Sequence, residues 1–122
     1  MIDQPVGIRI HGMLVAAAPQ KGIRLYARKE YGNRFLRHPF FQQTAVENHK
    51  RIILRSPYSC DDAFFTDAFA HDVAQDLGQD VMAATPSIVF LNGEYWGIHN
   101  IRERMDKWYI NAHYPELSLI HI

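Results

Sequence analysis

Apolar and polar residues alternate along residues 6–10, VGIRI, so that Ile8 and Ile10 share one side and Arg9 takes the other. That period of two is what a half-buried strand requires. The pattern recurs over 22–28, GIRLYAR, with Ile23, Leu25 and Ala27 opposed to Arg24, Tyr26 and Arg28, and RIILR at 51–55 predicts a third strand. Between the first two runs, HGMLVAAAPQK carries a glycine at one end and Pro19 at the other, as a hairpin loop would, although its apolar middle is unusual for a solvated turn. Residues 29–50 hold no sustained period and read as irregular structure, with Phe40 and Phe41 plugged into a core.

The period then changes. Pro57 and Ser59 mark a helix entry, with Asp61 and Asp62 suited to the positive end of its dipole. Phe65, Phe69, Val73 and Leu77, flanked by Ala68, repeat at helical spacing until Gly78 stops the run, and the acids Asp67, Asp72 and Asp76 lie off that stripe. SIVFL at 87–91 and EYWGI at 94–98 are β-rich and joined by Asn92-Gly93, a strong hairpin signal. A second helix is expected from about Ile101 to His113. The fold class is α+β, with a mainly antiparallel sheet and a helix packed on it.

A chain of 122 residues with 48% hydrophobic content suits one domain, or part of one. No stretch reaches the roughly 18 apolar residues of a membrane span, and the first residues lack the pattern of a signal peptide. A single cysteine, Cys60, excludes an intrachain disulfide and is most simply a small buried or helix-entry residue. Zero net charge argues against a general nucleic-acid binder, but it conceals a division. Residues 1–55 carry ten Lys/Arg against three Asp/Glu, whereas residues 56–101 carry seven acids and no Lys or Arg. Either the two parts dock and neutralise each other, or the basic part also receives an anion.

On the predicted strands, Arg9, Arg24, Arg28 and Arg55 gather on one face, with Lys21 at a strand start. Guanidinium forks and a lysine point charge suit a polyphosphate; a solvated or acid-paired face is the alternative. Seven histidines, at 11, 38, 49, 71, 99, 113 and 121, show no metal-binding spacing, and neither Cys60 nor a serine sits in a nucleophile motif. Tyr95 and Trp96 belong to hairpin core and rim, or stack on a ligand.

Three segments, PQKGIRLYARKEYG, DAF followed by AQDLG, and above all VFLNGEYWGIHNIRERMDKWYI, resemble the CotH kinase family, named for spore coat protein H. The resemblance spans most of residues 5–114. It implies an atypical protein kinase: an ATP- and Mg2+-dependent phosphotransferase acting on Ser or Thr of coat or surface proteins, hence at a cell surface or spore coat. A sheet-rich small lobe would cover the nucleotide, and a hinge would lead to a larger lobe. Under the resemblance, Asn100, Ile101, Arg102 and Glu103 form the hinge and offer backbone groups to the base. Lys21 and Arg24, with Arg9, hold phosphate oxygens, and Asp67 orients one of those cations.

Two departures stand out. Where relatives carry glycine and serine, this chain has GMLVAAAPQK, which hinders close backbone approach to a phosphate. The family's metal-binding and catalytic aspartates also fall beyond residue 122, so residues 1–116 read as small lobe and hinge and are expected to be inactive without a catalytic lobe. The closing LSLIHI, 117–122, is expected to be non-native. Exposed apolar surface is expected at Trp108 or Tyr109, where that lobe would pack. The rival reading is a non-catalytic structural or adhesive module.

Overall fold

The computed structural model describes residues 1–12, 20–56 and 66–117. The expected loop chemistry at 13–19, the helix entry from Pro57 to Phe65 with Cys60, and the end of LSLIHI from residue 118 lie outside the described residues.

Among the described residues, seven strands and two α-helices follow in the order β1 (Gly7–His11), β2 (Gly22–Tyr26), β3 (Leu36–Arg37), β4 (Asn48–His49), β5 (Arg51–Arg55), α1 (Thr66–Asp76), β6 (Ala84–Leu91), β7 (Glu94–Glu103) and α2 (Lys107–His113). Five strands form one antiparallel sheet in the order β1-β2-β5-β7-β6, and β3 pairs with β4 in a second ladder. The fold is α+β with a mainly antiparallel sheet, as the periodicities indicate. The stretch 29–50 is irregular apart from a 3-10 turn at Lys29–Tyr31 and the two-residue β3–β4 ladder.

Register explains which face becomes the core. Leu25 lies opposite Ile52, and Ile52 opposite Glu103, so these side chains share one face with Ile23 and Ile101. Ala27, Leu36 and Ile52 form the buried centre there, covered by Val6, Phe40 and Ile2. Phe40 and Phe41 do plug this side, Phe41 being 2% exposed. Loop 29–50 therefore acts as the second layer that an antiparallel sheet needs over its apolar face. The cover stops short of β1, where Ile8 and Ile10 are more than half exposed.

The β6–β7 hairpin turns at Asn92 and Gly93, both with positive φ (51° and 82°), the conformation a two-residue turn of this hand requires. Its strands run longer than expected. β7 continues through Glu103, so Ile101–Glu103 are strand and not the first turn of a helix. Between β5 and β6, this segment has ladder partners on both sides, which outweighs the helix preference of Arg and Glu. The helix begins only at Lys107, where the Asp106 carboxylate accepts from the Trp108 and Tyr109 backbone N–H groups.

Two further expectations change. Trp108 packs edge-on against Phe35, and the Tyr109 hydroxyl donates to the Val81 carbonyl at 2.7 Å, so neither ring is left uncovered. Burial, with Glu103 and Asp80 nearby, pushes the Tyr109 phenol up to about 12. A buried carboxylate completes the docking of α2: Glu103 accepts from the Ala83 N–H and meets His113 Nε2 at 2.7 Å. Helix α1, in contrast, turns its apolar stripe outward, with Phe69 61%, Val73 43% and Leu77 74% exposed. It approaches the sheet through Asp67 and His71. Among the described residues, no helix is long and apolar enough to cross a membrane.

Candidate anion-binding site

The sheet face opposite the core is cationic. Arg9 lies directly across from Arg24, Arg24 across from Ile53, and Ile53 across from Arg102, so alternation places Arg9, Arg24 and Arg102 on one face together with Arg55 and His11. Helix α1 crosses this face, and its Asp67 carboxylate accepts a hydrogen bond from Arg102 Nη1 and stands 3.6 Å from Arg55 Nε. Arg102 is 1% exposed and also donates to the Met82 carbonyl at 3.2 Å. A guanidinium removed from water to that degree needs a counter-charge. Asp67 supplies it, which accounts for the polar side of α1 facing inward while Phe69 and Leu77 remain in solvent.

The ionisation states follow from these contacts. Burial on its own would raise the Asp67 carboxyl, but the hydrogen bond and charge of Arg102, then Arg55 and His71, hold it below the usual carboxylate range. His71 is held below the ordinary imidazole range by burial and by Arg102, against the pull of Asp67; its Nδ1 accepts from the Met82 N–H at 3.1 Å. His11 is lowered by burial, then by the charges of Arg104 and Arg55. A neutral imidazole therefore sits among guanidinium groups at pH 7. In an NMR pH titration, the His11 midpoint is expected below that of a free imidazole, rising in Arg55→Met and on addition of a phosphate anion. A midpoint that ignores both would show that Arg55 does not act on His11.

Three arginine atoms here find no acceptor among the described residues: Arg24 Nε, Arg102 Nε and Arg104 Nη1 are buried without a hydrogen-bond partner, although Arg104 Nε stands 3.8 Å from Asp106. Buried polar atoms without partners are uncommon, and an oxyanion would satisfy those it reaches.

Of the residues expected from sequence, Arg9, Arg24, Asp67 and Arg102 share this face. Lys21 precedes β2, its backbone carbonyl held at 3.0 Å from His99 Nε2. Asn100, Ile101, Arg102 and Glu103 lie inside β7, between β5 and β6, where an inner strand's backbone groups face its neighbours. Arg28 rests over the Tyr26 ring at 5.0 Å. Asp67, expected to orient Lys21, Arg24 or Arg9, meets Arg102 and Arg55. His11 and Arg104 were not singled out as site residues from sequence. Alternation alone puts His11 on the side of Arg9, whereas Arg104 lay in a segment read as helix. Among the described residues, no group of three or more His, Cys, Asp or Glu side chains is arranged to hold a metal ion.

An antiparallel sheet with a guanidinium-lined face, crossed by a helix that contributes the pairing carboxylate, defines this protein as an α+β domain built to hold a cationic surface in place. The chain belongs to the CotH kinase family: the family described as CotH kinase protein matches residues 8–120, nearly its whole length. No curated protein matches it.

Proposed function

We propose that this chain is the nucleotide-binding small lobe of a CotH-type protein kinase and that its cationic sheet face receives the phosphates of ATP. The observation that carries the reading is the set of buried guanidinium atoms, Arg24 Nε, Arg102 Nε and Arg104 Nη1, that find no partner among the described residues, at a sheet face that also carries Arg9 and Arg55. In protein kinases, a cation on the third strand of the small lobe is held by a carboxylate from the helix that follows. Arg55, at the end of the third strand of this sheet, and Asp67, on α1, stand in that relation at 3.6 Å. Arg24 and Arg104 would grip phosphate oxygens, Arg9 and Lys21 would add charge at the open edge, and Asp67 would orient Arg55.

Family resemblance also supports a hinge at the end of β7. Asn100, Ile101, Arg102 and Glu103 would brace it from within the sheet, and backbone open to a base begins where strand pairing ends, at Arg104. ATP with Mg2+ supplies the transferable phosphoryl group, the substrate being Ser or Thr of a coat or surface protein. The metal-binding and catalytic aspartates would come from a second lobe packed against this one. Such a role places the parent protein at a cell surface or spore coat.

A second reading, a non-catalytic structural or adhesive module, draws on exposed apolar side chains of the β6–β7 hairpin, Ile88 65%, Phe90 61% and Tyr95 61%. Calorimetric titration with ATP and Mg2+ separates the two. Saturable binding that weakens with salt and is matched by inorganic triphosphate supports the kinase reading. No binding at millimolar nucleotide, together with concentration-dependent self-association, supports the adhesive one.

A further inference from the structure

On the core face of the sheet, behind the cations, the start of β2 and the end of β5 meet the middle of β6 and β7 at a small group of polar side chains, of which His99 and Ser56 are buried. His99, 0% exposed on β7, has Nε2 3.0 Å from the Lys21 carbonyl and Nδ1 3.4 Å from Gln20 Nε2. Gln20 Nε2 also donates to the Ile98 carbonyl at 2.8 Å. Ser56, 2% exposed just past β5, donates from its hydroxyl to the Gln20 carbonyl at 2.6 Å, and Ser87 on β6 donates to the His99 carbonyl at 2.9 Å. The Trp96 ring lies flat on the imidazole, 5.5 Å between centroids.

Gly97 makes room for this arrangement. Its φ is 110°, and a Cβ there would stand 2.5 Å from Gln20 Nε2. A side chain at 97 would have to expel Gln20 from its seat.

The hydrogen bonds dictate a tautomer. A carbonyl can only accept, so Nε2 must carry the proton that points at Lys21, and Nδ1 is left to accept from the Gln20 amide. The Gln20 amide cannot be reversed without turning its oxygen toward the Ile98 carbonyl. Each member thus specifies the next.

We propose that Gln20, Ser56 and His99 are positioning residues that hold the start of β2 and the end of β5 against β7, and so set the spacing of Arg24 and Arg55 on the opposite face. They act through the strand ends, and the consequence for ATP rests on the nucleotide reading given above.

The test uses the whole chain, with Gln20→Ala and Ser56→Ala as variants. Gln43→Ala is the control, because Gln43 makes a similar amide-to-carbonyl bond, to Ala84 at 3.0 Å, away from this group. Nitrogen-15 NMR of unsubstituted protein should show His99 as the Nε2–H tautomer. Amide exchange at Lys21, Gly22 and Ile23 should quicken about tenfold in both variants, and ATP affinity should fall about tenfold, while Gln43→Ala alters neither. An Nδ1–H tautomer, or exchange no faster than in Gln43→Ala, overturns the proposal. Faster exchange with unchanged ATP affinity overturns the link to the cations. If unsubstituted protein binds no ATP, the nucleotide reading falls, and the tautomer and exchange results decide whether the strand ends are locked as described.

Discussion

Asp67→Ala is expected to be the most destabilising single substitution among the polar residues described. It leaves Arg102, 1% exposed, with a buried charge and no carboxylate to meet it. Removing one partner of a buried pair costs about 3–5 kcal/mol, and the lower end applies because Asp67 itself is partly solvated. For a domain of this size, that lowers the thermal midpoint by about 10 °C. Arg102→Met in the same background should recover part of the loss, since the side chain left behind carries no charge to desolvate. A double-mutant cycle read by urea denaturation checks both statements.

The pH dependence has a definite sign. Because the folded state holds the Asp67 carboxyl below the usual range, its contribution is complete above the carboxyl's unfolded value, about 4, and is lost as pH falls through the lower folded value. Asp67→Ala should flatten the acid limb of the stability profile. An unchanged limb would mean that Arg102 finds its counter-charge elsewhere.

The second large effect is on binding. Arg24→Gln removes a guanidinium whose buried Nε has no partner among the described residues, and so should cost little stability while weakening ATP affinity. Charge-assisted hydrogen bonds contribute about 1.5–3 kcal/mol, so the dissociation constant should rise about 10- to 100-fold and its dependence on salt should diminish. Arg28→Gln is the matched control, since Arg28 lies over Tyr26 and outside the cluster. Equal affinities for the two variants would remove Arg24 from the site.

Local patterns conveyed much of this. Alternation in GIRLY and RIILR, and the Asn92-Gly93 turn, reflect rules that act over a few residues, and each corresponds to an observed element. The likeness of the NGEYWG block to the CotH kinase family likewise needed no tertiary information. Ile101–Glu103 misled because Arg and Glu usually mark a solvated helix. Here Arg102 is neutralised by a helix 35 positions earlier in the chain, and Glu103 is hydrogen-bonded by His113 and by the Ala83 backbone amide just before β6. Phe69, Val73 and Leu77 misled in the opposite sense, for helical spacing reports that a stripe exists and not which way it faces.

The sequence by itself determined β1, β2 and β5, the β6–β7 hairpin, the α+β class, the family and the presence of a basic strand face, because period, turn chemistry and charge are properties of neighbours along the chain. Only the tertiary structure decided that Asp67 serves Arg102 and Arg55, that Arg104 and His11 join the cations, and that Gln20 and His99 tie the strand ends together. Those outcomes depend on which charges lose their water when distant segments meet. A buried charge must then find whatever partner the fold brings within reach.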